Sequence, residues 1–204
     1  LNPPHPLTPE EMRALYPHTQ VTAAFVLLIS GYPDQARQQI EQVLTIDWGN
    51  TPQMAGMHSL AAMVYAQAHL DRLAQEQAKE ALRVIGDRSM PEVRAWGAGV
   101  LHWARVRAMR AGQRTGLDPA ARAPAVASVR LLAGQSTLSF HMVQLVLLIE
   151  ACLASGETEL ALATVDQGLA QVQAAVAHFE EAELWRLRGE GLLQCALATS
   201  SALG

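Results

Sequence analysis

The hydrophobic positions of this chain recur with a helical period. PDQARQQIEQVLTI, at 33–46, sets Ala36, Ile40, Val43 and Leu44 on one face and mostly polar side chains on the others. The segment before it, VTAAFVLLISG at 21–31, is apolar nearly all round, the pattern of a helix buried on every side. No segment shows a convincing period-two alternation of the kind a half-buried strand requires.

Capping and breaking residues divide the pattern into roughly nine or ten helices. Thr8-Pro9-Glu10-Glu11 starts the first: Thr8 can cap it, Pro9 suits its first turn, and Glu11 sits at the capping-box position. Pro17 is expected to stop that short helix, and a second runs from about His18 to Ser30. Gly31-Tyr32-Pro33 turns the chain, Pro33 opens the next helix, and 47–50 is a loop. Thr51-Pro52 starts a helix to about Ala68, and His69-Leu70-Asp71 turns it. The helix that follows places Ala74, Ala78 and Ala81 on one face and ends at Gly86-Asp87. Ser89-x-x-Glu92 reads as a capping box for a helix to about Ala111. Gly112 to Pro119 is a longer polar loop, and Pro124 lies in the first turn of a helix that ends near Gly134. A helix over about 138–154 turns at Ser155-Gly156, another follows to about Ala175, and the last starts near Phe179.

Helix pairs at a spacing of roughly 35–45 residues indicate stacked hairpins. Residue size marks the repeat. Small residues let two helices approach and large ones fill the gaps beside them. Gly31, Ala36, Ile40 and Val43 fit the turn and second helix of one unit. His58-x-x-Ala61-Ala62-x-x-Tyr65, followed by Ala74, Ala78 and Ala81, is the fullest match. Leu145-x-x-Leu148-Ile149-x-x-Cys152, followed by Gly156, Ala161 and Val165, is another, and Trp185-x-x-Arg188-Gly189-x-x-Leu192 starts a further unit. The unit from Trp103 to Leu132 is degenerate, with a loop too long for the pattern. These positions resemble the tetratricopeptide repeat (TPR). The expected fold is all-α: a TPR-like α-solenoid of antiparallel helix pairs in a right-handed superhelix, of about four and a half units. Residues 1–16 read as a linker with a short lead-in helix and 17–204 as the repeat domain, the whole a piece of a longer protein that opens in a Pro-rich linker, LNPPHPLTP.

Composition narrows the partners. Half of the 204 residues are hydrophobic and only 5% aromatic, a balance that suits close helix packing. The net charge of −4 gives no lead towards phosphate backbones, so no direct nucleic-acid partner is expected. The longest apolar stretches fall short of the roughly 20 residues a spanning helix needs, no signal peptide is legible, and no membrane partner is expected. Two cysteines outside any CxxC pair, Cys152 and Cys195, fit a reduced cytoplasm.

GYPDQARQQIEQVL, the Trp96-Gly97 dipeptide, and GETELALATVDQGLAQVQ leading to EEAELWRLRGEGLL resemble the C-terminal repeat region of large bacterial signal-transduction ATPases. The resemblance covers about 18–195. Its most specific part, AELWRLRGEGLL, is similar to the AEL-x-RLKGELLL pattern of that family, with Arg188 in place of lysine and Gly191 where leucine is common. The resemblance implies a sensor or scaffold arm attached to an NTPase core and to a winged-helix or adenylate cyclase domain.

No catalytic constellation is legible. A P-loop, HExxH, GxSxG and kinase signatures are absent, and no metal or cofactor is expected. The seven histidines, His5, His18, His58, His69, His102, His141 and His178, show no i, i+4 pair. Cys152 occupies a packing position and has no evident base. Arg105, Arg107, Arg110 and Arg114 gather near one helix C-terminus, where the helix dipole favours them. Trp96 and Trp103, seven apart, share a helix face and belong to the core, and Trp185 reads as a repeat-packing residue.

In this repeat type the first helix of each pair lines a concave groove. The register directs Phe25, Ser59, Met63, His102, Glu150, Arg186 and Glu190 towards it, with Arg186 and Glu190 spaced to pair. The expected function is a regulatory or scaffolding domain in a bacterial signalling or transcription-regulator protein. It would contact a protein partner or neighbouring domains of the parent chain. The alternatives are a small-molecule effector sensor inside the superhelix and a structural or dimerisation arm.

Overall fold

The computed structural model describes residues 9–46, 51–110, 138–174 and 180–202. These are helical apart from short turns, such as those at 30–32, 68–70 and 86–90, with no strand among the described residues. The helices are α1 (Pro9–Ile29), α2 (Pro33–Leu44), α3 (Thr51–Gln67), α4 (Asp71–Ile85), α5 (Pro91–Arg110), α6 (Leu138–Ser155), α7 (Thr158–Ala174) and α8 (Glu181–Ala202). No helix among them is long and apolar enough to cross a membrane. The expected loops at 47–50 and 112–119, the helix from Pro124 to Gly134, Trp48, Arg114, His5, His178 and Phe179 lie outside the described residues, as do Thr8 and the side chains of Glu11, His18, Arg110 and His141.

One turn recurs three times. Gly31, His69 and Gly156 take positive φ angles of 85°, 56° and 81°. After each, the next amide reaches back five residues: Tyr32 N to Leu27 O, Leu70 N to Tyr65 O, and Glu157 N to Cys152 O, at 2.8–2.9 Å. These bonds satisfy carbonyls that a helix end would otherwise leave open. The following helix begins in the same way each time, with Ala36, Ala74 and Ala161 donating to Tyr32, Leu70 and Glu157. Those three alanines are at most 1% exposed, and Ile40, Ala78 and Val165, four residues on, are fully buried. Size and turn thus repeat together, as the alanine and glycine spacing predicts.

Consecutive helices pack against each other, α3 on α4 most extensively, and α1 on α3, α3 on α5 and α6 on α8 also meet. On α4 the inner face is Ala74, Ala78, Ala81 and Ile85, while Arg72–Glu76 and Glu80–Arg83 pair on the outer face. Such small inner residues allow close approach: a Cβ added at Gly97 of α5 would lie 3.1 Å from Leu82 Cγ. The largest core cluster joins α1 to α6, and a second joins α6, α7 and α8. Helix α6 belongs to both, with every residue from Met142 to Ile149 buried.

Three sequence expectations need correction. Pro17 does not stop a helix, because α1 runs through it without a break. An internal proline costs about 3 kcal/mol. Burial of Val21, Ala24 and Phe25 just beyond it offsets a loss of that size. Helix α5 opens at Pro91, with the first i→i−4 bond accepted by Met90, so its start lies one residue past the Ser89 capping box. Trp185 is 49% exposed and not a packing residue. The buried positions of α8 are Leu184, Leu187 and Gly191, and Trp185 stands roughly 100° round the helix from Leu184.

Candidate functional site

The candidate site grows from the indole of Trp103 on α5, a fully buried side chain. Its Nε1–H donates to Glu150 Oε2 on α6 at 2.7 Å. The Arg107 guanidinium, one turn further along α5, lies 4.9 Å from the indole centroid. Arg107 Nε donates in turn to Asp71 Oδ2, at the first position of α4, at 3.0 Å. A charge-assisted bond, a stacked cation and an ion pair therefore tie three helices around one ring.

Arg186 of α8 meets this group from the other side. Its Nε and Nη2 donate to the two oxygens of Glu183 at 2.8 and 2.6 Å, and its Nη1 donates to Glu190 Oε2 at 3.2 Å. Nη2 also lies 3.8 Å from Glu150 Oε1. The planar fork of arginine suits such a bidentate grip. The hydrogen bond to Glu183 leads the effects that hold the Arg186 proton more firmly than usual.

Two open cavities share Glu150 and Arg186. The first, about 460 Å³, is lined by Asp71, Arg107, Glu150, Ala154, Arg186, Leu187 and Glu190. The second, about 490 Å³, lies between the C-terminal ends of α1 and α3, the middle of α6 and the start of α8. Its polar lining is Gln67, His69, Glu150, Glu180, Glu183 and Arg186, and its apolar lining includes Val146 and Leu147. Glu180 is 7% exposed. Burial, aided by repulsion from Glu183 and Glu150, pushes its carboxyl up from the ordinary 4.5 to about 7. Among the described residues no three His, Cys, Asp or Glu side chains gather closely enough to hold a metal ion.

Of the seven side chains that the repeat register directs to a groove, the structure brings together Glu150, Arg186 and Glu190. Phe25, Ser59, Met63 and His102 are at most 4% exposed and lie in the packed interior. Ser59 Oγ donates to Val93 O at 3.2 Å. The physical reason is that α3 packs on α1, α2, α4, α5 and α6 at once. The Nδ1 of His58 lies 2.6 Å from Gln77 Oε1. Cys152 is buried in the second core, as its packing position predicts.

Sequence reading missed Asp71, Glu180, Glu183 and Gln67 as lining residues, and placed Arg107 only in a surface cluster. A trace was present for two of them: Trp103 and Arg107 are four apart and so share a helix face. For Glu180 and Gln67 the sequence carries no signal, because each stands at a helix end whose neighbours come from distant segments. Comparison of the chain with protein-family models, with curated proteins and with solved structures finds no match in any of the three.

Proposed function

We propose that this chain is a regulatory binding arm without catalytic activity of its own, a TPR-like solenoid of helix pairs in a right-handed superhelix. In this reading it serves a bacterial signalling or transcription-regulator protein in the cytoplasm. It takes a small effector, or a side chain of a protein partner, at the centre of the stack. The repeated turn at Gly31, His69 and Gly156 supports the repeat assignment, together with contacts between next-but-one helices. The observation that carries the binding role is the pair of cavities in which charged groups from α4, α5, α6 and α8 converge. Each has the volume of a small-ligand site, which favours an effector over a whole bound helix. Among the described residues their linings hold no serine, threonine or cysteine to act as a nucleophile.

The mechanism is a population shift. A ligand gripped jointly by α6 and α8 favours the placement of those helices that grips it best, and shifts neighbouring domains only by that difference in affinity. The test is a thermal-shift screen of effectors and peptides against the protein and its Arg186→Glu variant, with circular dichroism to confirm that the variant keeps its helices. Ligands that stabilise the native chain, and whose effect is lost or clearly changed in the variant, support the role. Stabilisation equal in both, or no stabilising ligand at all, would remove it.

A further inference from the structure

The second cavity holds more negative than positive charge. Among the described residues, Glu150, Glu180 and Glu183 line it with one guanidinium, that of Arg186. Glu183 holds Arg186 with both oxygens and Glu190 takes a third donor. Glu150 already accepts from Trp103. The Glu180 carbonyl accepts from Leu184 N, but its side chain has no hydrogen bond or ion pair among the described residues although the residue is only 7% exposed. A buried carboxylate without a cation or donor is costly, and native structures rarely leave one so. Beside these groups, Val146 and Leu147 present an apolar wall.

We propose that this cavity binds a small aliphatic amine, with its ammonium group seated among Glu180, Glu150 and Glu183 and its alkyl chain against Val146 and Leu147. The assignment rests on the binding role proposed above and gives that role a ligand chemistry. An ammonium group supplies three donors and a compact charge, which is what the unpartnered carboxylate lacks. The raised pKa of Glu180, near 7, agrees with a site short of a cation, since a bound ammonium would favour the ionised form. A metal ion fits less well, because the carboxylates do not gather at coordination distance. His69 completes the charged and titratable lining of the cavity.

The experiment is isothermal titration of the chain with 1,4-diaminobutane, with 1,4-butanediol as the neutral isostere and succinate as the anion. The expected result is binding of the diamine at least tenfold tighter than the diol, weakened tenfold or more by Glu180→Gln and weakened by added salt. Circular dichroism and the thermal midpoint of the variant confirm that it folds. Glu150→Gln is the second variant and is expected to weaken the diamine by a smaller factor. A parallel titration with the tripeptide Gly-Lys-Gly tells a free amine from a lysine side chain, and tighter binding of the peptide retains the ammonium chemistry while assigning its source to a partner protein. Equal affinity for diamine and diol, or an unchanged affinity in Glu180→Gln, overturns the proposal. Binding of succinate in place of the diamine overturns it too, yet leaves the cavity a ligand site and the broader binding role standing. Failure of every probe here, with Arg186-dependent ligands found in the thermal-shift screen, removes the amine alone.

Discussion

Leu145 and Leu193 are the same residue on two helices that pack against each other, yet Leu145 is fully buried and Leu193 is 60% exposed. Helix α6 meets α3, α5, α7 and α8, so each apolar side chain from 142 to 149 finds a neighbour. Helix α8 meets only α6 and α7 among the described helices. Its inner positions are buried at Leu184 and Leu187, and its outer positions, Leu192, Leu193 and Leu197, are 49–61% exposed. Hydropathy and packing differ in the same sense: α6 is apolar nearly all round and is surrounded, while α8 carries five charged side chains and has fewer neighbours, and a helix apolar all round is stable only where neighbours surround it.

The largest effect expected is at Leu145. Leu145→Ala removes side-chain atoms from between α6 and α7, where a Cβ on Gly168 would lie only 2.5 Å from Leu145 Cδ2. A loss of about 2–5 kcal/mol is expected in guanidinium denaturation, against roughly 0.5 kcal/mol or less for Leu193→Ala. A similar loss at both positions would break the comparison and mean that something covers the outer face of α8.

Glu180, at the entry to α8, sharpens the contrast through pH. Its carboxyl holds a proton more firmly in the folded chain, near 7, than at the ordinary 4.5. The folded state therefore binds more protons than the unfolded one between these values, and stability must fall as pH rises from about 4.5 to about 7, levelling off above. The decline attributable to this group is up to about 3 kcal/mol. Urea unfolding at pH 5 and pH 8 is expected to show it in the native chain and to show it reduced in Glu180→Gln, which gains stability at pH 8. A native chain equally stable at both values, or an identical decline in the variant, contradicts the burial of an unpartnered carboxylate there.

Trp103→Phe keeps an aromatic ring beside α6 but gives up part of the buried volume and deletes the donor to Glu150. Hydrogen bonds to charged groups contribute about 1.5–3 kcal/mol, and a loss in that range is expected from chemical denaturation. No loss would mean that water or Arg186 replaces the indole. The smallest effect belongs to Arg188→Ala. Its bond to Asp166 on α7 spans 3.0 Å, but the two side chains are 37% and 60% exposed. Such a pair is worth at most about 1 kcal/mol, and the difference is expected to shrink in high salt.

Much of the local structure was legible beforehand. Turns at Gly31, His69 and Gly156 announced themselves through glycine, proline and the return of alanine five residues on, because helix ends are set by a few adjacent residues. The inner face of α4 was legible for the same reason. Pro17 misled because its penalty is local, while the burial that outweighs it comes from helices packed later against α1. Trp185 misled because its residue type suits a core, whereas its azimuth on α8 points it away from α6 and α7.

By itself, then, the sequence determined the helices, their order and the small residues at which they approach, since each of these depends on neighbours within about a turn of chain. Only the tertiary structure decided which of the seven groove positions meet solvent. Packing of α3 against five helices at once left Phe25, Ser59, Met63 and His102 in the interior, while Glu150, Arg186 and Glu190 were left around a cavity. It also set Glu180 beside Glu150 and Gln67, residues 30 and more positions away, which no local pattern could bring together.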